Sequence, residues 1–508
     1  MPDQVYSVQW NGSEKLGFAY DNLGRLAQKD FGGNSFGIKY AYENYEIAKE
    51  NGAAEKRTTT LVKSVETPAG TYSYEYDKLG NIISVANGTT TVSYEYDSLN
   101  QLTRVNDEKA GKTITYSYTN GNITEQKEYE YTTGELGEPT DTKTWSYTDS
   151  VWSDLLTDFN GTQIAYDEIG NPLSIGSKQL TWLGRQLQSI ADGENTIEYA
   201  YNGDGNRISK TVNGVKTEFV YNGDILAGQK SGNDTLVFMY DNNSDIFGFV
   251  LNGTEYYYIK NAQNDVTAIA DKDGNVLVNY AYDAWGKVTE ITGNTALAEQ
   301  NPIRYRSYYF DFETEWYFLN TRYYSPDMCR FINADGYVQT GQSVLDKNMF
   351  AYCGNNPVDR FDYNGDSWSD VKNWFSKTFS KANQWVKNLV SPQKSQNNSI
   401  QKYSSHKKRG TTSPHNKQKH EDGQTRKNRD AGGEKGDKRR TPNPNKRRPS
   451  QSTVETLETV AICVVAIVVT VGIIYIVAND ATVIGVADDA LIVPLGAILW
   501  ECSAKIIA

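Results

Sequence analysis

Imidazole is absent from the first four hundred residues. All three histidines, His406, His415 and His420, fall in one polar stretch, so serine triads, papain-like dyads and His-ligated zinc are excluded upstream of it. Chemistry there would fall to carboxylates. The chain has 63 Asp and Glu, so a glycosidase-like pair can be drawn almost anywhere and means nothing without geometry. Asp271-Lys272-Asp273-Gly274-Asn275 opens like a calcium loop, but its twelfth position is Tyr282 rather than Glu, and the competing reading is a plain hairpin turn. Cys329 and Cys353 are read either as a pair or as two buried thiols. No metal site and no cofactor are expected.

The elements that would position such groups come from an internal repeat. The chain has 36 Tyr against 16 Phe and 10 Trp, with 42 Gly and 13 Pro, which suits strands and tight turns. Tyr20-Asp21-Asn22-Leu23-Gly24-Arg25, Tyr76-Asp77-Lys78-Leu79-Gly80-Asn81 and Tyr166-Asp167-Glu168-Ile169-Gly170-Asn171 are the clearest copies. Looser ones start at Tyr96, Tyr201, Tyr221, Tyr240 and Tyr282. Neighbouring copies, such as those at Tyr76 and Tyr96 or at Tyr201 and Tyr221, leave room between them for two short strands and two turns. Tyr72, Tyr74 and Tyr76 alternate with small or charged residues, so their rings share one face of a strand. Asp77 can then bond the backbone of its own turn while Gly80 takes a positive φ. A lone hairpin is marginal in water, but stacked hairpins build a continuous sheet with a ladder of tyrosines on a half-wet surface. Such exposed ladders would also suit stacking on sugars, although strand packing already accounts for them.

At 508 residues and 38% hydrophobic, with 4 Cys, the chain is too long and too polar for one compact core, and too poor in cysteine for a disulfide scaffold. The net charge of −12 conceals a split: residues 394–450 carry 17 Lys and Arg against 5 Asp and Glu, a local +12, while residues 1–393 carry −19 and the last 58 carry −5. No apolar segment follows Met1, so no secretory signal is expected.

The Tyr-Asp repeat resembles the YD repeat of Rhs and teneurin-like proteins. More specific is Asn301-Pro302-Ile303-Arg304-Tyr305-Arg306-Ser307-Tyr308-Tyr309-Phe310-Asp311, which runs on through Trp316-Tyr317-Phe318-Leu319-Asn320-Thr321-Arg322-Tyr323-Tyr324-Ser325-Pro326 and Cys329-Arg330-Phe331-Ile332-Asn333-Ala334-Asp335 to Phe350-Ala351-Tyr352-Cys353-Gly354-Asn355-Asn356-Pro357. It resembles the Rhs-associated core motif, and the resemblance covers roughly residues 15–366. It implies a mainly β chain: a YD-repeat shell of β-hairpins over 1–290, a partial cocoon, and an Rhs-associated core over 291–366 that closes it. Relatives of this kind enclose a variable C-terminal polypeptide, often a toxin used against competing cells.

In that family the core is often followed by an aspartate-dependent self-cleavage site, Asp-Pro-any-Gly-Leu. Here the matching stretch is Asp362-Tyr363-Asn364-Gly365-Asp366. Asp362 and Gly365 fit, whereas Tyr363 and Asp366 depart from Pro and Leu. The resemblance makes Asp335 the upstream acid, and implies cleavage after Asp366 by two carboxylates, one neutral and one charged. The other reading is that Asp335 and Asp362 cap turns, as Asp beside Gly commonly does.

Beyond residue 366 the character changes. Trp368, Val371, Trp374, Phe375, Phe379, Trp385, Val386 and Leu389 recur at three- and four-residue steps with lysines between them, predicting an amphipathic helix over 367–391 that either lies on anionic lipid or packs inside the shell. Residues 392–452 read as a disordered basic linker, a solvated tether with no specific nucleic-acid partner. Within the apolar segment 453–508, residues 460–477 are eighteen without a charge, about 27 Å as a helix, the length of a membrane span. The expected function is an Rhs-type scaffold delivering a membrane-acting effector. The alternative is a non-toxic, teneurin-like surface or adhesion protein for which the C-terminal helix is an anchor. Its expected partners are its own C-terminal segment inside the shell, an immunity protein, and lipid through 460–477, with a membrane-associated, secreted or cell-surface location.

Overall fold

The computed structural model describes residues 4–10, 12–33, 35–48, 54–336, 344–366 and 368–371. These are mainly β. Twenty-seven strands, from β1 (Ser7–Trp10) to β27 (Val288–Gly293), form one antiparallel meander in which each strand pairs with the next in sequence. The alternation seen in the sequence sets the faces: in β6 (Gly70–Tyr76) Tyr74 is buried while Thr71, Ser73 and Glu75 are exposed.

One turn design recurs along the meander. Asp77 Oδ1 accepts the backbone N–H groups of Leu79 and Asn81, its Oδ2 accepts the Asn81 side chain, and Gly80 sits at φ 83°. The same clasp is made by Asp21, Asp97, Asp167, Asn202, Asp241, Asp271 and Asp283. Asp271 therefore belongs to a hairpin turn and not to a calcium loop. Among the described residues, no cluster of three or more His, Cys, Asp or Glu could hold a metal. Asn261 makes the clasp with neither Tyr nor Gly, because Asn264 takes the positive φ, 69°. The copy at Tyr221 departs from the design: strand β20 (Val215–Asn222) runs through Asn222 and reverses by a two-residue turn.

Where a tyrosine precedes the clasp, it follows a register shift in its strand, as between Glu75 and Tyr76 or Glu95 and Tyr96, a bulge that adds twist. At four of these tyrosines the hydroxyl reaches back to a backbone carbonyl of the preceding strand: Tyr76 to Val62 at 2.7 Å, Tyr96 to Ile82 at 2.6 Å, Tyr240 to Leu226 at 2.8 Å and Tyr282 to Val266 at 2.7 Å. The ladder is thus stitched to the sheet by backbone partners, and most of its rings belong to the core rather than to an exposed sugar-stacking surface.

Residues 301–336 and 344–366 pack against this meander. The helix α1 (Thr295–Gln300), capped by Asn294, leads into a small sheet of β28 (Tyr309–Asp311), β29 (Trp316–Phe318), β30 (Tyr323–Ser325) and β31 (Arg330–Phe331), nearly all of it buried. Widely spaced points of the meander bind it: Ile82 N–H donates to Asp359, Asn355 to Gln101, Trp145 to the Met328 carbonyl, Arg185 to the Ala334 carbonyl, and Tyr309 to Gln229. Cys329 and Cys353 are buried free thiols, which removes the reading that they pair.

Of the helix expected over 367–391, only 368–371 are described, and at 368–370 the expectation fails. Trp368–Asp370 is strand β33, paired with β32 (Arg360–Asp362) in register Asp362↔Trp368. Backbone pairing to the core outweighs the helical spacing at these residues. The rest of that helix, the linker 392–452, the apolar segment 453–508 and the span 460–477 lie outside the described residues. Among the described residues no helix is long and apolar enough to cross a membrane.

Candidate functional site

Asp335 and Asp362 are well separated in sequence yet meet at one guanidinium. Arg322, between β29 and β30, points Nη1 at Asp335 Oδ2 (3.3 Å) and Nη2 at Asp362 Oδ2 (3.1 Å), and all three side chains are buried. The arginine lies flat on the Phe331 ring, 3.5 Å from its centroid, and also donates to the Gly365 and Met349 carbonyls. Burial pulls the guanidinium below its ordinary value, while Asp335, Asp362 and Asp366 pull it back up; it stays charged at neutral pH.

The backbone around the two carboxylates is equally constrained. Asp362 Oδ1 accepts the Gly365 N–H at 2.9 Å, and the Asp362 N–H donates to the Tyr308 hydroxyl at 2.9 Å. Asp362 is therefore a turn cap, as one of its two readings had it, and it is also one partner of the buried ion cluster. Asp335 is held by its own N–H to the Met349 carbonyl. The turn 362–366 docks on 319–322: the Thr321 hydroxyl donates to the Asn364 carbonyl, and Gly365, at φ 84°, leaves no room for a Cβ, which would stand 2.6 Å from both Leu319 O and Thr321 Oγ1. Tyr363, where the family pattern has Pro, sends its hydroxyl to the Ser244 carbonyl at 3.2 Å. Asn364 caps the Asp366 carboxylate at 2.9 Å.

Chemically, the arrangement gathers two carboxylates, one fixed cation and a close-packed glycine turn beside the junction with the C-terminal segment. Sequence reasoning found the two acids and missed Arg322. Its signal was a lone arginine in an otherwise aromatic stretch, Thr321-Arg322-Tyr323-Tyr324, where burial demands a counter-charge. A second cluster joins the buried Arg207, Lys210 and Asp311 to the exposed Glu313.

Comparison with known proteins places this geometry among related chains. Residues 153–358 match the family model described as Teneurin YD-shell, and residues 76–109 match RHS Repeat. The tRNA3(Ser)-specific nuclease WapA of Bacillus spizizenii is 37% identical over 218 residues, 41% of this chain and 9% of that protein. The tRNA nuclease WapA of Bacillus subtilis (strain 168) is 35% identical over the same shares. The Double-stranded DNA deaminase toxin A of Burkholderia cenocepacia is 34% identical over 88 residues, 17% of this chain and 6% of that protein. The chain thus spans about a tenth or less of the length of these curated relatives. Among solved structures, the crystal structure of TcdB2-TccC3-Cdc42 aligns with a TM-score of 0.53 at 19% identity, over 74% of this chain and 20% of that one, which is a likeness of fold.

Proposed function

Because the chain is an Rhs/YD-repeat protein with a teneurin-like shell, we propose that residues 1–366 are a scaffold that encloses and delivers a variable C-terminal effector, residues 367–508, in bacterial competition. The observation that carries this reading is the junction. The core segment is bound by points of the meander from Ile82 to Gln229, and it ends in a docked turn where Asp335 and Asp362 converge on Arg322 next to the start of the cargo.

The cargo is read as membrane-acting. Its uncharged stretch 460–477 and its +12 tether support a segment drawn to anionic lipid and able to span it. The curated relatives are named instead for tRNA nucleases and a DNA deaminase, and cargo differs between shells of one design. Self-cleavage after Asp366, with Asp335 and Asp362 as the acting carboxylates, would free this cargo. An immunity protein would protect the producer, and the protein would work at a membrane or outside the cell.

Inducing residues 367–508 in a bacterial host tests the reading. Growth arrest with dye leakage is the expected result. Growth arrest with tRNA or DNA damage and no leakage would overturn the membrane target, and harmless retention in the membrane would favour a non-toxic anchored surface protein.

A further inference from the structure

We propose that strand β33 is a retention handle: once the chain is opened between residues 366 and 367, residues 368–371 keep the C-terminal segment seated on the shell. This rests on the reading of residues 367–508 as cargo and adds how that cargo is held.

The junction lies in the loop of a hairpin. Strand β32 ends at Asp362 and β33 begins at Trp368, so the five residues between them form the connection. Hydrolysis of the 366–367 amide adds one water, leaving a carboxylate on Asp366 and an amine on Ser367. It removes none of the contacts of 368–371. Three residue pairs, Arg360↔Asp370, Phe361↔Ser369 and Asp362↔Trp368, remain across the nick. The ladder is extended by Val371, whose N–H donates to the Asp359 carbonyl at 2.7 Å and whose side chain is buried in the main core. The Arg360 guanidinium lies 4.0 Å from the Trp368 ring centroid, a cation–π contact between the same two strands.

Both sides of the nick are anchored separately. Asp362 is fixed by Arg322, and Gly365 by Arg322 and the 319–321 backbone, so the shell side keeps its shape without the cargo. That preformed edge is what an incoming or departing strand needs, as in strand addition to a sheet edge. A three-residue ladder and one buried valine make a weak hold when the ends are separate and an effective one while the cut ends remain at high local concentration. Cleavage and release thereby become separate events.

The test uses the full chain with Asp362→Asn to silence self-cleavage, a protease recognition sequence inserted between residues 366 and 367, and a tag on the C-terminus. After cutting, the tagged fragment is expected to co-elute with the shell in size-exclusion chromatography. The same chain carrying Val371→Asp and Trp368→Ala is expected to release its fragment at least tenfold faster. Equal release from both chains overturns the handle. Because the readout is co-elution and not toxicity, a handle that fails is distinguished from a cargo that proves harmless.

Discussion

The Arg207 guanidinium holds both carboxylate oxygens of Asp311, at 2.6 and 3.1 Å, from a distant strand of the meander. Both side chains are buried, Lys210 adds a third bond to the same carboxylate at 2.9 Å, and the guanidinium lies 4.1 Å from the Phe318 ring centroid. Removing the acid leaves the buried Arg207 guanidinium without a carboxylate and Lys210 with Glu313 alone, so Asp311→Ala should cost about 3–5 kcal/mol. Replacing Arg207, Lys210 and Asp311 together by apolar residues of similar volume should cost much less. Urea midpoints of the parent and both variants check this, and an unchanged midpoint in Asp311→Ala would remove the cluster as an anchor of the core.

Ile82 has both backbone polar groups taken by distant side chains: its N–H by Asp359 at 2.7 Å and its carbonyl by Tyr96 at 2.6 Å. Tyr96→Phe keeps the ring and orphans the carbonyl, a loss of about 1–3 kcal/mol. Tyr45→Phe alters an exposed ring and should stay within about 0.5 kcal/mol. Thermal midpoints of the two variants compare them directly.

How far the fold was legible follows from the range of each interaction. The Asp77 clasp closes within its own turn, so spacing in the sequence reveals it, and the alternation around Tyr74 reveals the buried face. The clasp at Asn261 was missed because Lys260 stands where the copies at Asp97 and Asp241, which also lack the glycine, keep their tyrosine. The strand at Trp368 was misread because its partner, Phe361 and its neighbours, is set by the docking of the core and not by local spacing. Asp335 and Asp362 were legible through a family pattern alone, and Arg322 was not, since nothing local says that one arginine will face two acids. The hydroxyl bonds of the tyrosine ladder, such as Tyr76 to Val62 and Tyr282 to Val266, reach back past the preceding turn to another strand, beyond what periodicity alone carries.

Burial pushes the Asp359 carboxyl up to about 6, against the pull of the Ile82 N–H, the Asn356 and Tyr96 side chains and Arg360; Asp283 is likewise raised to about 6 by burial, against the Lys287 and Trp285 N–H groups and the Lys287 and Lys143 charges. A carboxyl raised above its unfolded value of 3.8 adds stability that is complete below that value and is lost as pH rises through about 6. For Asp359 this amounts to about 1.4 kcal/mol between pH 5 and pH 7.5. Asp359→Asn should remove that increment. The change in unfolding free energy between the two pH values should therefore differ between parent and variant by about that amount, whatever other carboxylates do in both. Parallel pH profiles would refute a titrating Asp359.

Gly365 and Gly161 share a backbone conformation, φ 84° and 85°, but not surroundings. A Cβ on Gly161 meets nothing within 4 Å, whereas one on Gly365 would stand 2.6 Å from Leu319 O and Thr321 Oγ1. Gly161→Ala thus reports the backbone penalty alone, about 1 kcal/mol. Gly365→Ala adds the displacement of the turn from 319–322, about 1–3 kcal/mol more, and loosens the bonds from Arg322 to the Gly365 carbonyl and from Thr321 to the Asn364 carbonyl. The damage should be local, because the meander is bound to the core at many other points. Limited proteolysis is expected to open Gly365→Ala between residues 362 and 371 while the shell stays resistant, and any self-cleavage after Asp366 should slow as Asp362 loses its cap. Gly161→Ala should leave the junction closed. The same proteolytic pattern in both variants would mean that the close approach at Gly365 does not hold the junction, and that the turn is positioned by Arg322 alone.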